Sequence, residues 1–176
     1  MNPRLPVREL LTTQRYDAVP ARPASGAICL SCAMPVVRST TPDDAPALVD
    51  LFTDFDHPST ADQLRARLDR IAGDPAYASW VATTEEHPVG FAAAHLIRSI
   101  EYDGHVAQLI GLVSTAGERG HGIGTLLLGT FEQWARDNGA GRAMLVSSHY
   151  RTGAHRFYEH RGYLSTGLRF VRLLDA

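Results

Sequence analysis

The sequence predicts one ordered domain of the mixed α/β (α+β) class, in which helices cover both faces of a sheet. Two observations lead to this class. Apolar segments typical of strands and amphipathic segments typical of helices follow one another in the order β-α-α-β-β-β-α-β-α-β-β. The chain has 176 residues, of which 44% are hydrophobic, so it is long enough to bury the core that such a sheet requires.

Residues 1–33 differ in composition from the rest of the chain. Arg, Pro, Thr and Ala alternate there without a period. We therefore expect a poorly ordered N-terminal tail, followed by a single domain over residues 34–176. The tail contains both cysteines of the chain, Cys29 and Cys32. A single C-x-x-C pair without further ligands cannot close a tetrahedral zinc site, so no metal is expected.

The first elements of the domain are predicted from their end signals. A short strand is expected at 35–39, and Thr41 then caps a helix that has Pro42 at its first position and acidic residues in its first turn. A second helix begins at Ser59 or Thr60. Three strands follow at 79–84, 89–100 and 105–114, with a hairpin turn at 102–104.

The segment 112–125, with the sequence LVSTAGERGHGIGT, is the centre of the prediction. It ends a strand, becomes glycine-rich, and enters a helix predicted over 125–138. The first amides of a helix have no partner within it, and the helix dipole favours negative charge at that end. The glycines allow a phosphate to approach, and Arg119 can bond phosphate in two places. This pattern predicts an anion site, with a purely structural tight turn as the alternative.

Two well-known phosphate loops are excluded at this position. The pattern G-x-x-x-x-G-K-[ST] is absent, because no Lys precedes Thr125. A dinucleotide fingerprint requires G-x-G-x-x-G and an acidic residue at the end of the next strand. Here the spacing is Gly120-x-Gly122-x-Gly124, and the strand predicted at 142–147 is followed by Ser and His.

The last elements complete the predicted order. The strand at 142–147 has a buried character, and a helix over 152–161 ends at Gly162. Two final strands are expected at 163–166 and 169–174.

Composition limits the partners of the protein. The formal net charge is -2, so there is no electrostatic reason to expect nucleic acid or an anionic membrane as a partner. No apolar run approaches the length of a membrane span, and the N-terminus lacks the hydrophobic core of a signal peptide. We therefore expect a cytoplasmic enzyme.

Three segments together resemble the GNAT superfamily of acetyl-CoA-dependent N-acetyltransferases. The pattern Arg-x-x-Gly-x-Gly at 119–124 resembles the pyrophosphate loop of that family. The segment AHRFYEHRGY at 154–163 resembles its helix with an aromatic-plus-glycine turn, and VRSTTPDDAPAL at 37–48 resembles its first strand and helix. The resemblance covers 36–173. It implies a mostly antiparallel sheet of six to seven strands, splayed at its centre.

The resemblance implies acetyl-CoA as the cofactor. The pantetheine arm would pair with the open edge of a central strand at Leu112 and Ser114, as an added strand does. The amide of Val113 would polarise the thioester carbonyl. Arg151 stands where the family often has Asn, and it could instead meet a phosphate or an acidic substrate, or be a solvated charge. The other residues assigned to the cofactor are Arg119, Gly120, His121, Gly122, Ile123, Gly124, Thr125, Ala154 and Phe157.

The resemblance also implies the acid of the reaction. Tyr158 aligns with the tyrosine that protonates the departing CoA thiolate, a task that suits a phenol because it is neutral at pH 7 and can donate to sulfur. Simple core packing is the alternative for this side chain.

The base is harder to assign. Many relatives have Glu on the strand before the loop, whereas one face of that strand here presents Gln108, Ile110 and Leu112, which do not titrate. His149, just past a central strand, is our first candidate, and a solvated loop histidine is its alternative reading. The other candidates are His95, Glu101, His105 and a chain of water molecules.

The acceptor pocket is expected at the link between the first two helices. Its predicted lining is Phe52, Asp54, Phe55, Asp56 and His57. The two acidic residues would attract a cationic amine, although charges at a helix end are commonly just solvated.

The leading hypothesis is an N-acetyltransferase that moves an acetyl group to a primary amine of a small molecule or peptide. Direct attack in a ternary complex is favoured over an acyl-enzyme, because the cysteines lie in the tail and no Ser-His-Asp arrangement is evident. A non-catalytic acyl-CoA-binding module is the alternative. A homodimer that pairs through the C-terminal strands is a further expectation.

Overall fold

The computed structural model describes residues 34–85 and 87–174. The predicted N-terminal tail, with Cys29 and Cys32, lies outside the described residues. The strands are β1 (Val36–Ser39), β2 (Tyr77–Thr84), β3 (His87–Arg98), β4 (His105–Ser114) and β5 (Ala140–Leu145). The α-helices are α1 (Val49–Asp54), α2 (Ala61–Ile71), α3 (Ile123–Asp137) and α4 (Thr152–His160). Two 3-10 helices span Pro42–Leu48 and Ala116–Glu118.

The strands form one sheet in the order β1-β2-β3-β4-β5. Every neighbouring pair is antiparallel except β4 and β5, which are parallel. The predicted mixed, mostly antiparallel class is therefore confirmed. The number of strands is not, because the described residues contain five instead of six to seven.

The missing strands are those predicted at 163–166 and 169–174. Residues 164–174 have no regular structure, and their large apolar side chains are mostly exposed. An alternating apolar pattern predicts that a segment can form a strand, but a strand also needs a neighbouring edge with which to pair. Within the described part of the chain these residues do not pair with such an edge.

Helices cover both faces of the sheet, as predicted. On one face α3 buries Leu127, Leu128 and Phe131 against two alanines of β3, Ala92 and Ala94, and against Leu109 of β4. On the other face α1, α2 and the first 3-10 helix bury a second apolar cluster. Its members include Leu48, Leu51, Leu64, Phe91 and Val113. The sheet therefore separates two cores, each formed by its own helices.

The helices on the second face begin at the capping residues that the sequence indicates. Thr60 and Gln63 form a reciprocal capping box at α2. The backbone amide of Gln63 donates to the Thr60 hydroxyl at 3.3 Å, and the backbone amide of Thr60 donates to the side-chain oxygen of Gln63 at 3.0 Å. The helix predicted after Thr41 is divided into a 3-10 helix and the short α1. Pro46 lies inside the 3-10 helix, where its missing N–H removes a donor from the hydrogen-bond ladder.

Strand β5 corrects the prediction of a buried strand at 142–147. It spans 140–145 and its side chains are in part exposed, with Met144 41% exposed. Ala140 and Leu145 pack on the core beneath α3. Since β5 is the outer strand of the described sheet, one of its edges has no neighbouring strand.

A close approach between α3 and β3 sets the position of the glycine-rich loop. A Cβ at Gly90 of β3 would lie 2.5 Å from Cγ2 of Ile123 and 2.9 Å from Cδ1 of Leu127. Only a glycine leaves room for the first turns of α3 at this distance. The helix N-terminus is thereby held directly on the sheet, beside the end of β4.

None of the described helices combines the length and the apolar character that crossing a membrane requires. The cytoplasmic location stays a prediction.

Candidate active site

The glycine-rich segment forms a tight reversal between β4 and α3. Gly120 and Gly122 have φ angles of 85° and 88°, in the left-handed region that glycine adopts without strain. Helix α3 begins at Ile123, two residues before the predicted start. Its first turn therefore includes Gly124 and Thr125, whose amides point away from the helix body.

The amides of this segment fall into two groups. Those of Arg119 and His121 donate within the turn, to the carbonyls of Ala116 at 3.5 Å and Glu118 at 3.3 Å. The amides of Gly120, Gly122, Ile123, Gly124 and Thr125 donate to no backbone acceptor among the described residues. Most of the predicted donors are thus available, and they are concentrated at the N-terminus of α3.

Arginine side chains add positive charge around these amides. Arg119 and His121 are exposed, with Nδ1 of His121 3.4 Å from a carboxylate oxygen of Glu118. The guanidinium of Arg161, just after α4, donates to the hydroxyl of Thr125. Arg161 was not among the site residues predicted from the sequence. Its one available signal was its position next to the glycine that ends α4.

A gap opens beside the last part of β4. Pairing between β4 and β5 extends from His105 to Leu109 and then ends, so residues 110–114 have no paired strand on that side in the described chain. On the other side β4 stays paired with β3, but Ala93 pairs with Gly111 and Ala94 pairs with Leu109. Ile110 is therefore the extra residue of a β-bulge, which bends the strand where the gap begins.

The predicted backbone contacts of the cofactor, Leu112, Val113 and Ser114, all lie within this gap. Each is paired with β3 on one side only. An extended ligand could thus occupy the open side of the strand as a further strand does.

Tyr158 lies on α4 and is half-buried. Its ring packs against those of Tyr163 and Phe157, with centroids 5.9 Å and 5.2 Å away. Burial raises the pKa of the Tyr158 phenol, and the positive charge of Arg151 acts in the opposite direction. The side chain therefore stays protonated near neutral pH and is available as a proton donor.

Phe157 and Ala154 connect α4 to the same region. The Phe157 ring lies 3.6 Å from where a Cβ at Gly124 would be, so it packs on the first turn of α3. Ala154 is half-buried, one turn before Tyr158. Helix α4 thus packs, through Phe157, on the first turn of α3, where the free amides lie.

Arg151 links the start of α4 to the end of α1. Its Nη2 atom donates to the carboxylate of Asp56 at 2.6 Å and to the carbonyl of Phe55 at 3.0 Å. The carboxylate of Asp54 accepts from the amide of Ala116 at 3.1 Å. Both acidic residues predicted to attract a cationic acceptor therefore already have partners within the chain.

A cavity of about 570 Å³ lies between α1, α2 and the sheet. Of the residues predicted for the acceptor pocket, Phe52 and Phe55 line this cavity, whereas Asp54, Asp56 and His57 do not. It extends to the bulge of β4. Its lining residues are Leu48, Phe52, Phe55, Leu64, Arg67, Leu68, Arg70, Ile71, Asp74, Tyr77, Phe91, Ala93, Ile110 and Gly111.

The candidate bases are distributed over the molecule. Glu101 and His105 lie at the end of β4 opposite to the glycine-rich loop. His149 is exposed in the connection after β5, with its ring centroid 5.7 Å from that of Tyr150. His95 pairs with Gln108 of β4, and its ring stacks at 4.3 Å on Tyr77, which lines the cavity.

Comparison with protein families places this arrangement among known folds. A model described as the acetyltransferase (GNAT) family matches residues 45–163. N-acetyltransferase 8 of Mus musculus is 34% identical over 95 residues, which cover 54% of this chain and 42% of that protein. Aminoalkylphosphonate N-acetyltransferase of Salmonella typhimurium is 28% identical over 148 residues, covering 80% of this chain and 94% of that protein. The match thus spans less than half of the first relative and nearly all of the second.

Solved structures share the fold. A transcriptional regulator from Bacillus halodurans superposes with a TM-score of 0.74 at 21% identity, covering 80% of this chain and 100% of that one. The aminoglycoside N-acetyltransferase AAC(6')-Iy in complex with CoA superposes with a TM-score of 0.72 at 17% identity, covering 82% and 97%.

Proposed function

This chain belongs to the acetyltransferase (GNAT) family, and from that premise we propose that it transfers the acetyl group of acetyl-CoA to a primary amine of a small molecule or peptide. The observation that carries the proposal is the set of free amides at the N-terminus of α3, adjacent to the open side of β4. A helix N-terminus binds anions, and an open strand edge binds an extended chain. Coenzyme A combines a diphosphate with such a chain.

The residues present fit each part of this cofactor. The amides of 122–125 would bind the diphosphate, with Arg119 and Arg161 as the nearby charges. The open side of β4 would hold the pantetheine arm through Leu112 and Ser114. A relative of the same fold is known in complex with CoA, which supports the assignment.

In the reaction, acetyl-CoA supplies a thioester and a thiol leaving group. The amide of Val113 would donate to the thioester carbonyl and so stabilise the charge that develops on its oxygen. The amine nitrogen would attack the thioester carbon directly, so that a C–N bond replaces the C–S bond. Tyr158 would donate the proton of its Oη atom to the departing sulfur, since burial raises the pKa of the phenol and keeps it protonated.

The amine must lose a proton, and we propose that His149 accepts it, with His95 as the alternative because it stacks on the cavity-lining Tyr77. The pH dependence of kcat/KM in the variants His149→Ala and His95→Ala distinguishes them. If one variant loses the fall of kcat/KM at low pH, the histidine replaced in that variant is the base. An unchanged profile in both would exclude the two histidines and favour a water chain.

Two names among the relatives support a small-molecule acceptor. One is an aminoalkylphosphonate N-acetyltransferase and the other an aminoglycoside N-acetyltransferase. We also propose that the protein is a homodimer. The exposed apolar side chains of residues 164–174 and the outer edge of β5 support this assembly.

The experiment combines thermal unfolding with an acetylation assay. We expect CoA at about 100 times its Kd to stabilise the protein by about 2.7 kcal/mol, and acetyl-CoA to release thiol in the presence of a primary amine from a panel. Absence of a thermal shift would refute the binding site. A shift without acetylation of any amine would favour the non-catalytic acyl-CoA-binding module, an alternative motivated by Gln108 at the position where a carboxylate is expected.

A matched pair of variants tests the loop itself. Gly124→Val adds a branched side chain in the first turn of α3 and should abolish the shift produced by CoA. Gly129→Val makes the same change at an exposed position of the same helix, where a Cβ meets no atom within 4 Å. We expect it to retain the shift. Equal loss in both variants would indicate a defect of the helix, and not of the binding site.

A further inference from the structure

We infer that the acceptor carries an anionic group as well as its amine, and that Arg67 and Arg70 bind this group in the cavity between α1, α2 and the sheet. The inference rests on the proposed acetyl transfer and specifies its substrate class. The lining of the cavity is otherwise mainly apolar, and its charged members are Arg67, Arg70 and Asp74. Two guanidinium groups against one carboxylate leave the cavity with a net positive charge.

The two arginines differ from the other arginines of this region in their partners. Arg38, Arg65 and Arg151 form ion pairs with Asp44, Asp43 and Asp56. In contrast, neither cavity arginine has a carboxylate partner among the described residues. Both side chains are exposed, and neither guanidinium is held in an ion pair within the described chain.

The arginines are also arranged to act together. Arg67 and Arg70 are three positions apart on α2, so they lie on the same side of the helix. The hydroxyl of Ser59 accepts from Nη1 of Arg67 at 2.7 Å, which fixes one end of that guanidinium and leaves the other N–H groups available. Guanidinium groups on the same side of a helix can together bond the oxygens of a carboxylate, a phosphate or a phosphonate.

Asp74 is the only acidic residue among those that line the cavity, and one of its carboxylate oxygens already accepts a hydrogen bond. Its Oδ1 atom accepts from the amide of Ala76 at 2.9 Å in the turn before β2. The acids that the sequence assigned to a cationic acceptor, Asp54 and Asp56, are bonded elsewhere and do not line the cavity. The charges of this cavity therefore favour an anion over a second cation.

The shape of the cavity orients such a molecule. The arginines lie on α2, whereas Ile110 and Gly111 lie at the bulge of β4, where the gap for the cofactor begins. Phe52 and Phe55 form an apolar wall of the same space. A fitting acceptor has an oxyanion group bound at the arginines, a short carbon chain along the aromatic rings, and a primary amine at the bulge. This is the class of small aminoalkyl acids.

The test compares three amines of equal chain length, 3-aminopropylphosphonate, propylamine and 1,3-diaminopropane. We expect kcat/KM for the phosphonate to exceed that for propylamine by about tenfold or more, because charged hydrogen bonds form only with the former. Arg67→Gln and Arg70→Gln should each remove most of this preference by raising KM. They should leave kcat/KM for propylamine within about twofold and the thermal shift with CoA unchanged.

The matched control is Arg65→Gln. This arginine is on the same helix, but it pairs with Asp43 at 2.9 Å and does not line the cavity. We expect the Arg65→Gln variant to prefer the phosphonate over propylamine as strongly as the wild type does. If 1,3-diaminopropane or propylamine is the better substrate of the wild type, or if the cavity variants weaken all three amines equally, the inference is wrong.

A binding measurement separates this inference from the proposed reaction. The phosphonate should raise the unfolding temperature of the wild type more than propylamine does, and the cavity variants should lose the difference. If this holds while no amine is acetylated, the anion site stands and the proposed reaction fails. If amines are acetylated but the phosphonate gives no added stabilisation, the reaction stands and the anion site fails.

Discussion

Burial of the Tyr158 phenol determines what this side chain can do in a reaction. A raised pKa makes the phenol a donor that stays protonated, and its ring also fills space between Phe157 and Tyr163. Tyr158→Phe removes the hydroxyl and preserves the packing. We expect turnover to fall by about 10²-fold or more, with CoA affinity nearly unchanged, as measured by steady-state kinetics and thermal shift. A large loss of affinity at unchanged turnover would contradict the role.

A second residue-level prediction concerns stability and pH. The guanidinium of Arg38, which donates to the Asp44 carboxylate at 2.9 Å, lowers the pKa of that carboxyl from an ordinary 3.8 to about 2. Because the folded state has the lower pKa, the pair stabilises the fold above about pH 4, and this contribution disappears as the pH falls towards 2. Solvent screening limits it to the order of 1 kcal/mol.

Asp44→Asn should therefore lower the free energy of unfolding at pH 7 and make little difference near pH 2. Urea unfolding at the two pH values measures the effect. Asp69→Asn serves as control, because Asp69 is exposed on α2 and has no hydrogen-bond partner in the described chain. Equal losses for Asp44→Asn at both pH values would show that the ion pair is not responsible.

At the scale of elements, the contact of α3 with β3 positions the amides of the loop. Gly90→Ala introduces a methyl group 2.5 Å from Cγ2 of Ile123, so the first turn of α3 has to move. We expect a destabilisation of about 1–3 kcal/mol and a weaker affinity for CoA, measured by thermal unfolding and by titration. The control is Gly141→Ala on β5, where a Cβ meets no atom within 4 Å. If the Gly90→Ala variant keeps its affinity for CoA, the contact between α3 and β3 does not position the amides of the loop.

Elements with local signals were the ones that could be predicted from the sequence. The capping box at Thr60 and the glycines before α3 act through their immediate neighbours, so their positions are encoded locally. The strands predicted over 163–174 failed because pairing depends on an edge that is distant in sequence. The opening between β4 and β5 was predicted only from the family resemblance.

Local sequence signals also explain which residues of the site could be predicted. Glycines and Tyr158 were selected because their motif is compact in sequence. Arg67 and Arg70 were missed, since the polar side of a helix has the same pattern whether it faces water or a cavity. The roles of Asp54 and Asp56 depend on partners more than 60 residues away.

At the scale of the whole molecule, the proposed homodimer predicts a change of mass. Leu168 and Phe170 are 85% and 88% exposed in the single chain, which is costly for large apolar side chains. We expect light scattering to give the mass of two chains, and Leu168→Asp combined with Phe170→Asp to give that of one. Ile100→Asp is the control, because Ile100 is also exposed but lies in the hairpin between β3 and β4. A monomeric wild type at micromolar concentration would refute the dimer.

The division of the molecule into two cores has an evolutionary consequence. Residues on α3 and α4 serve donor binding in our proposal, whereas the cavity is formed by α1, α2 and parts of β2, β3 and β4. The two sets meet at the bulge around Ile110 and where Arg151 contacts Phe55 and Asp56. Evolution can therefore change the residues that select the amine while those that bind acetyl-CoA are conserved. Replacing segment 42–77 with the same segment of a relative should then change which amine is acetylated without altering the affinity for acetyl-CoA.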